Sequence, residues 1–147
     1  MLTMDGEIRI IDMGLCMDIT EFGPSHGGGT LQFMAPELIT GSAATPASDM
    51  WALGITLISI ANRETPFCKN SISGLFNILT NNYDINSLLH NPNKWSDEFK
   101  DFVSSCIRFD PKERPSAEAL LAVIFFSCSI IFHSFSHKKK SSMNGLI

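Results

Sequence analysis

Near the start of the chain, polar and apolar residues change places one by one. Glu7-Ile8-Arg9-Ile10-Ile11 alternates and then turns apolar, which predicts a short strand packed on one face. Met4-Asp5-Gly6 before it predicts a tight turn, since Asp-Gly tolerates positive φ. From Leu15 to Thr30 no period is sustained, and Gly27-Gly28-Gly29 marks a loop. Residues 48–61 are different. Met50, Trp51, Leu53, Gly54, Leu57, Ile58 and Ala61 leave almost no polar face, so a buried helix at the centre of the domain is expected. Asp49 near its start suits the positive end of the helix dipole. Two amphipathic helices are expected next, the first over the weakly periodic residues 71–79. Residues 96–107 form a clearer amphipathic helix, with Ser96 as N-cap and Phe99, Phe102, Val103, Cys106 and Ile107 on one side. Asp110-Pro111-Lys112-Glu113-Arg114-Pro115 is a turn-rich connector, after which Ser116 caps a last helix beginning Ala117-Glu118-Ala119-Leu120-Leu121. The pattern predicts a mainly α domain with a short β remnant at the N-terminus.

Composition narrows the function classes. A chain of 147 residues that is 44% hydrophobic can build the core of one domain. Its net charge of −4 argues against a nucleic-acid partner, which would call for a basic footprint. The basic run Lys138-Lys139-Lys140 reads as a solvated tail. Cys16, Cys68, Cys106 and Cys128 are scattered, with no Cys-x-x-Cys pair. That favours reduced cytoplasmic thiols over a zinc site or a disulfide framework. No positive region followed by an apolar stretch opens the chain, so no secretory signal is expected.

Three short signals then follow in order: Asp12-Met13-Gly14, Gly29-Thr30 leading into Met34-Ala35-Pro36-Glu37, and Asp49-Met50-Trp51. A turn Asp after a strand is unremarkable alone, and so is a helix-start Asp followed by core residues. The second signal is far more specific, and the order and spacing of all three add to it. Together with Asp110-Pro111 and Arg114-Pro115, they resemble the large lobe of a Ser/Thr protein kinase domain, from its magnesium-binding loop onward. The resemblance covers about residues 2–122, and the Gly-Thr pair is similar to Ser/Thr rather than tyrosine kinases.

The resemblance implies roles. Asp12 would hold the magnesium ion that bridges the ATP phosphates, a task that needs a hard carboxylate oxygen. Met13 stands where the family usually has Phe. Thr30, Met34, Ala35, Pro36 and Glu37 would close the activation segment and shape the substrate groove, with Thr30 contacting the family's catalytic Asp. Glu37 would be buried against Arg114, since an unpaired buried carboxylate costs several kcal/mol. Asp49 would accept hydrogen bonds from the catalytic-loop backbone and anchor the spine of packed side chains, with Trp51 as a structural residue beside it. Thr20, Ser25 and Thr30 are candidate phosphosites. Ser59 stands where basic-directed members often carry Glu, so it leaves substrate preference unread.

The first residues, Met1-Leu2-Thr3, fall just after the point where the family places its catalytic loop. The Gly-rich loop, the strand lysine with its helix Glu, and the catalytic base are not in the sequence. No complete catalytic set is therefore expected, and the chain alone should neither bind ATP and magnesium strongly nor phosphorylate anything. The parent kinase would use both.

Residues 1–122 read as a partial kinase domain and 123–147 as an atypical tail. The apolar stretch 119–135 would rise about 25 Å as a helix, at the low end for spanning a bilayer. His133 and its serines weaken that reading, and a translated intron or alternative exon fits as well. The expected partner is a protein substrate or kinase-binding protein, with a membrane as an open alternative through 119–135. Three function classes follow: a Ser/Thr kinase family member inactive as this chain, a non-catalytic scaffold module, or a membrane-anchored kinase-like fragment. With apolar surface left open, marginal stability is expected.

Overall fold

The computed structural model describes residues 1, 3–18, 28–67, 77–81 and 83–122. Among them the chain is mainly helical. The α-helices are α1 (Pro36–Ile39), α2 (Pro46–Asn62), α3 (Ile85–Leu88) and α4 (Asp97–Cys106), with residues 77–79 and 117–122 also helical. Single 3₁₀ turns lie at Met13–Leu15, Leu31–Phe33, Pro92–Lys94 and Pro111–Glu113. Of the expected helix at 71–79, only residues 77–79 fall within the described residues.

The N-terminal strand needs correction. Residues 4–6 do turn, with Gly6 at φ +83 and its N–H on the Thr3 carbonyl at 3.1 Å. Within residues 7–11, Ile8 alone makes an isolated bridge, supported by hydrogen bonds from Thr3 N to Glu7 O and from Arg9 N to Met1 O. Ile8 and Ile10 are 85% and 83% exposed. A strand needs a ladder of several partners and a face to bury. Two hydrogen bonds and no packed face give a turn with an extended arm.

α2 begins where Pro46 takes the first helical position, which its fixed φ favours. It ends at Arg63, which adopts the left-handed conformation at φ 58. The Asn62 side chain ties this end to the segment after α3, donating to Leu88 O at 2.7 Å and accepting from His90 N at 3.0 Å. α3 was not apparent from periodicity. Asp84 starts it, its carboxylate accepting from Asn86 N and Ser87 N. In α4, Ser96 Oγ accepts from Phe99 N at 3.2 Å, and Val103 and Cys106 are fully buried.

The core lies where α2 crosses α4. Trp51, Ile55 and Ile58 from α2 pack with Val103 and Ile107, with Phe67, Ile78, Leu88 and Leu89 around them. α2 is apolar on every side but is buried on only one. Its opposite stripe is open, with Leu53 37% and Ile60 69% exposed. Hydrophobicity marks what a helix can bury; a neighbour is still needed to cover it.

Gly54 sets the approach of the two helices. A Cβ there would lie 2.6 Å from Ile107 Cγ2 and 2.9 Å from Cys106 Cβ. Gly54→Val should therefore destabilise the domain by about 1–3 kcal/mol through overpacking, read as a lowered urea midpoint. An unchanged midpoint would mean that α2 and α4 do not meet at this distance.

Candidate functional site

The segment 30–37 is fixed from its far end. Leu31–Phe33 forms one 3₁₀ turn with Phe33 N on Thr30 O at 2.9 Å. Ala35 is fully buried, and Pro36 opens α1. This places Glu37 in the first turn of α1, facing the start of α2 and the connector 110–115.

Arg114 reaches it across the fold. Nη1 donates to Glu37 Oε1 at 2.7 Å and Nη2 to Oε2 at 2.8 Å, a bidentate pair. Nη1 also donates to Ala47 O at 2.9 Å, Nη2 to Phe109 O at 3.0 Å, and Nε to Arg108 O at 2.7 Å. A guanidinium has five N–H donors, and each has an acceptor here. Its side chain is fully buried. Ser48 Oγ adds a 2.9 Å bond to Glu37 Oε1 while accepting from Thr45 N at 3.3 Å. Burial by itself would raise the Glu37 pKa; the hydrogen bonds and charge of Arg114, its backbone hydrogen bond and Ser48 outweigh it, so the carboxyl lies below its ordinary value of 4.5.

Trp51 completes the cluster. The Arg114 guanidinium carbon lies 5.1 Å from the centre of the indole ring, and Tyr83 meets it edge-on at 5.8 Å. The indole N–H is buried and makes no hydrogen bond to the described residues. Tyr83 donates its hydroxyl to Ile107 O at 3.2 Å, and burial pushes its pKa up to about 12. Ser48 and Tyr83 were missed from sequence. Ser48 gave a faint signal, three residues after Thr45 as in a capping box, but nothing in the pattern pointed it at Glu37.

A cavity of about 410 Å³ opens beside this cluster. Gly14, Cys16, Gly29, Thr30, Met34 and Asp49 are among the residues that line it. The structure thus brings together the ends of all three motifs. Asp12 does not line this cavity. It sits exposed at the start of the Met13–Leu15 turn, in the left-handed conformation at φ 63. Thr20 and Ser25 lie outside the described residues, as do 123–135 of the apolar stretch. Among the described residues no helix is long and apolar enough to cross a membrane.

ATP-bound magnesium keeps near-octahedral oxygen coordination through one or two carboxylates plus phosphates and water. Asp12 offers an exposed carboxylate, but among the described residues no group of three His, Cys, Asp or Glu side chains is suited to a metal. These residues do not form that site by themselves.

The family model for the protein kinase domain matches residues 1–126. Mouse serine/threonine-protein kinase PAK 1 is 38% identical over 124 residues, covering 82% of this chain and 22% of its own length. Two proteins of Dictyostelium discoideum named "Probable serine/threonine-protein kinase", mkcB and mkcC, are each 36% identical over 121 residues, covering 82% of this chain. The matched region spans 16% of mkcB and 13% of mkcC, so the chain corresponds to a small part of these relatives.

Two outcomes follow from the ion pair. Arg114→Met leaves the largely buried Glu37 carboxylate without its charge partner, holding only the Ser48 hydrogen bond, and should cost about 3–5 kcal/mol in denaturant unfolding; a loss below 1 kcal/mol would contradict the geometry. Glu37 also sets an acid dependence. Because its folded pKa is depressed, its stabilisation is present above the unfolded value of 4.5 and is lost as pH falls through the folded value. Melting temperature should drop across that window, and Glu37→Gln, already destabilised at neutral pH, should drop less.

Proposed function

The chain belongs to the protein kinase family, and on that premise we propose that it is the portion of a Ser/Thr kinase that seats the protein substrate and contributes one magnesium ligand. The observation that carries this reading is the Glu37–Arg114 pair. It ties Met34-Ala35-Pro36-Glu37 to the connector 110–115 and holds Thr30, Met34 and Asp49 around one cavity.

Each residue has a chemical task in that reading. Phosphoryl transfer is mostly positioning and electrostatic stabilisation. Thr30, Met34, Ala35 and Pro36 shape the floor on which a substrate Ser or Thr is presented. Asp49 lines the same cavity and accepts backbone N–H groups of the segment that carries the base. Asp12 would supply one carboxylate to a magnesium ion completed by other groups of the kinase, and that ion would offset phosphate charge. Thr30 is the phosphosite candidate within the described residues. The general base and the nucleotide cradle are supplied by other parts of the whole kinase, so this chain alone transfers no phosphate.

The test is a segment exchange. Residues 1–122 replace the matching segment of mouse PAK 1, and phosphate transfer to a protein substrate is measured. The exchanged kinase should phosphorylate Ser or Thr, and Asp12→Asn within it should abolish transfer while leaving the melting temperature unchanged. A folded but inactive exchange, or full activity with Asp12→Asn, would overturn the proposal.

A further inference from the structure

Sulfur gathers where the N-terminal arm meets the cavity. Met13 and Cys16 stand at the two ends of the Met13–Leu15 turn, closed by a hydrogen bond from Cys16 N to Met13 O at 3.0 Å. That local geometry brings Cys16 Sγ to 3.3 Å from Met13 Sδ, with the thiol as a weak donor to the thioether. Both side chains are exposed, Met13 by 57%. Two more thioethers belong to the same neighbourhood, since Met17 and Met34 line the cavity that Cys16 also lines. Met13 is moreover the residue that departs from the kinase resemblance, and the usual Phe has no atom able to bind a metal.

Sulfur of this kind favours one ion. Soft thiolate and thioether ligands select copper(I). Zinc sites are built from Cys, His and carboxylates, and among the described residues no three such side chains come together. Magnesium takes hard oxygen, which here is the Asp12 carboxylate and not sulfur. Charge agrees as well. A thiolate and a copper(I) ion sum to zero, so together they bring no net charge to a cavity whose wall includes Phe33, Leu38 and Ala52. An ion entering between the two sulfurs spreads them apart, and both exposed side chains have room to move.

We propose that Met13 and Cys16 together bind a copper(I) ion at the edge of this cavity, where the thioethers of Met17 and Met34 are at hand. The ion enters as copper(I), so no electron is transferred, and the thiol proton passes to the buffer as the copper–sulfur bond forms. This site is separate from the kinase reading above and requires no phosphate transfer.

The test uses the full reduced chain, titrated with copper(I) against the chromophoric chelator bicinchoninate. The expected result is a single copper(I) ion withdrawn per chain, with sulfur alone around it in X-ray absorption. Met13→Leu and Cys16→Ser should each weaken binding by about 10-fold or more, at least the loss that follows removal of a supporting partner at a metal site. Cys68→Ser combined with Cys128→Ser should leave binding unchanged. Met13 is exposed, so Met13→Leu should keep the circular dichroism and melting temperature of the parent chain. No transfer from the chelator, or binding unchanged in Met13→Leu or Cys16→Ser, would overturn the proposal. So would an equal loss in the variant lacking Cys68 and Cys128.

Discussion

The structure depends on one buried ion pair joining residues 77 positions apart. Removing two charges from water costs several kcal/mol each, and attraction alone does not repay that. What makes the Glu37–Arg114 pair sustainable is completeness. Every Arg114 donor finds an acceptor, and Glu37 takes a further hydrogen bond from Ser48. Three of those acceptors are carbonyls of Ala47, Arg108 and Phe109, so one side chain fixes the start of α2 and the segment leaving α4. The register of α2 in turn sets where Asp49 faces the cavity and where Gly54 meets Ile107.

Rigidity and openness are thus divided between the two sides of α2. The face toward α4 is closed by Trp51, Ile55 and Ile58, and by the glycine that lets the helices touch. The other side holds the cavity and the stripe, with Leu53, Ile60 and the N-terminal arm exposed.

Much of this was legible in the sequence. The amphipathic period and Ser96 cap of α4, the Ser116 start of the last helix and the turn at Met4-Asp5-Gly6 are local signals, and the structure contains each. The Glu37–Arg114 contact came instead from resemblance, because no local pattern links residues so far apart. What failed to read out was whatever depends on neighbours. The alternation at residues 7–11 satisfies a strand pattern, yet alternation states only that one face could be buried, and Ile8 and Ile10 stay exposed with no sheet among the described residues. α2 reads as buried all round for the same reason. Ser48 and Tyr83 joined the cluster through tertiary geometry, with no periodic signal to mark them. α3 is a single turn that depends on Asp84 rather than on any apolar period.

The most direct test of the account is a double-mutant cycle on Glu37→Gln and Arg114→Met, followed by urea unfolding at neutral pH. If the pair holds α1, α2 and the connector together, each single change destabilises strongly and the double change costs far less than their sum. The coupling should be about 2–3 kcal/mol, at the upper end of that seen for contacting residues. Additive losses, with coupling below about 0.5 kcal/mol, would mean that the two side chains act independently and that the fold does not depend on their contact.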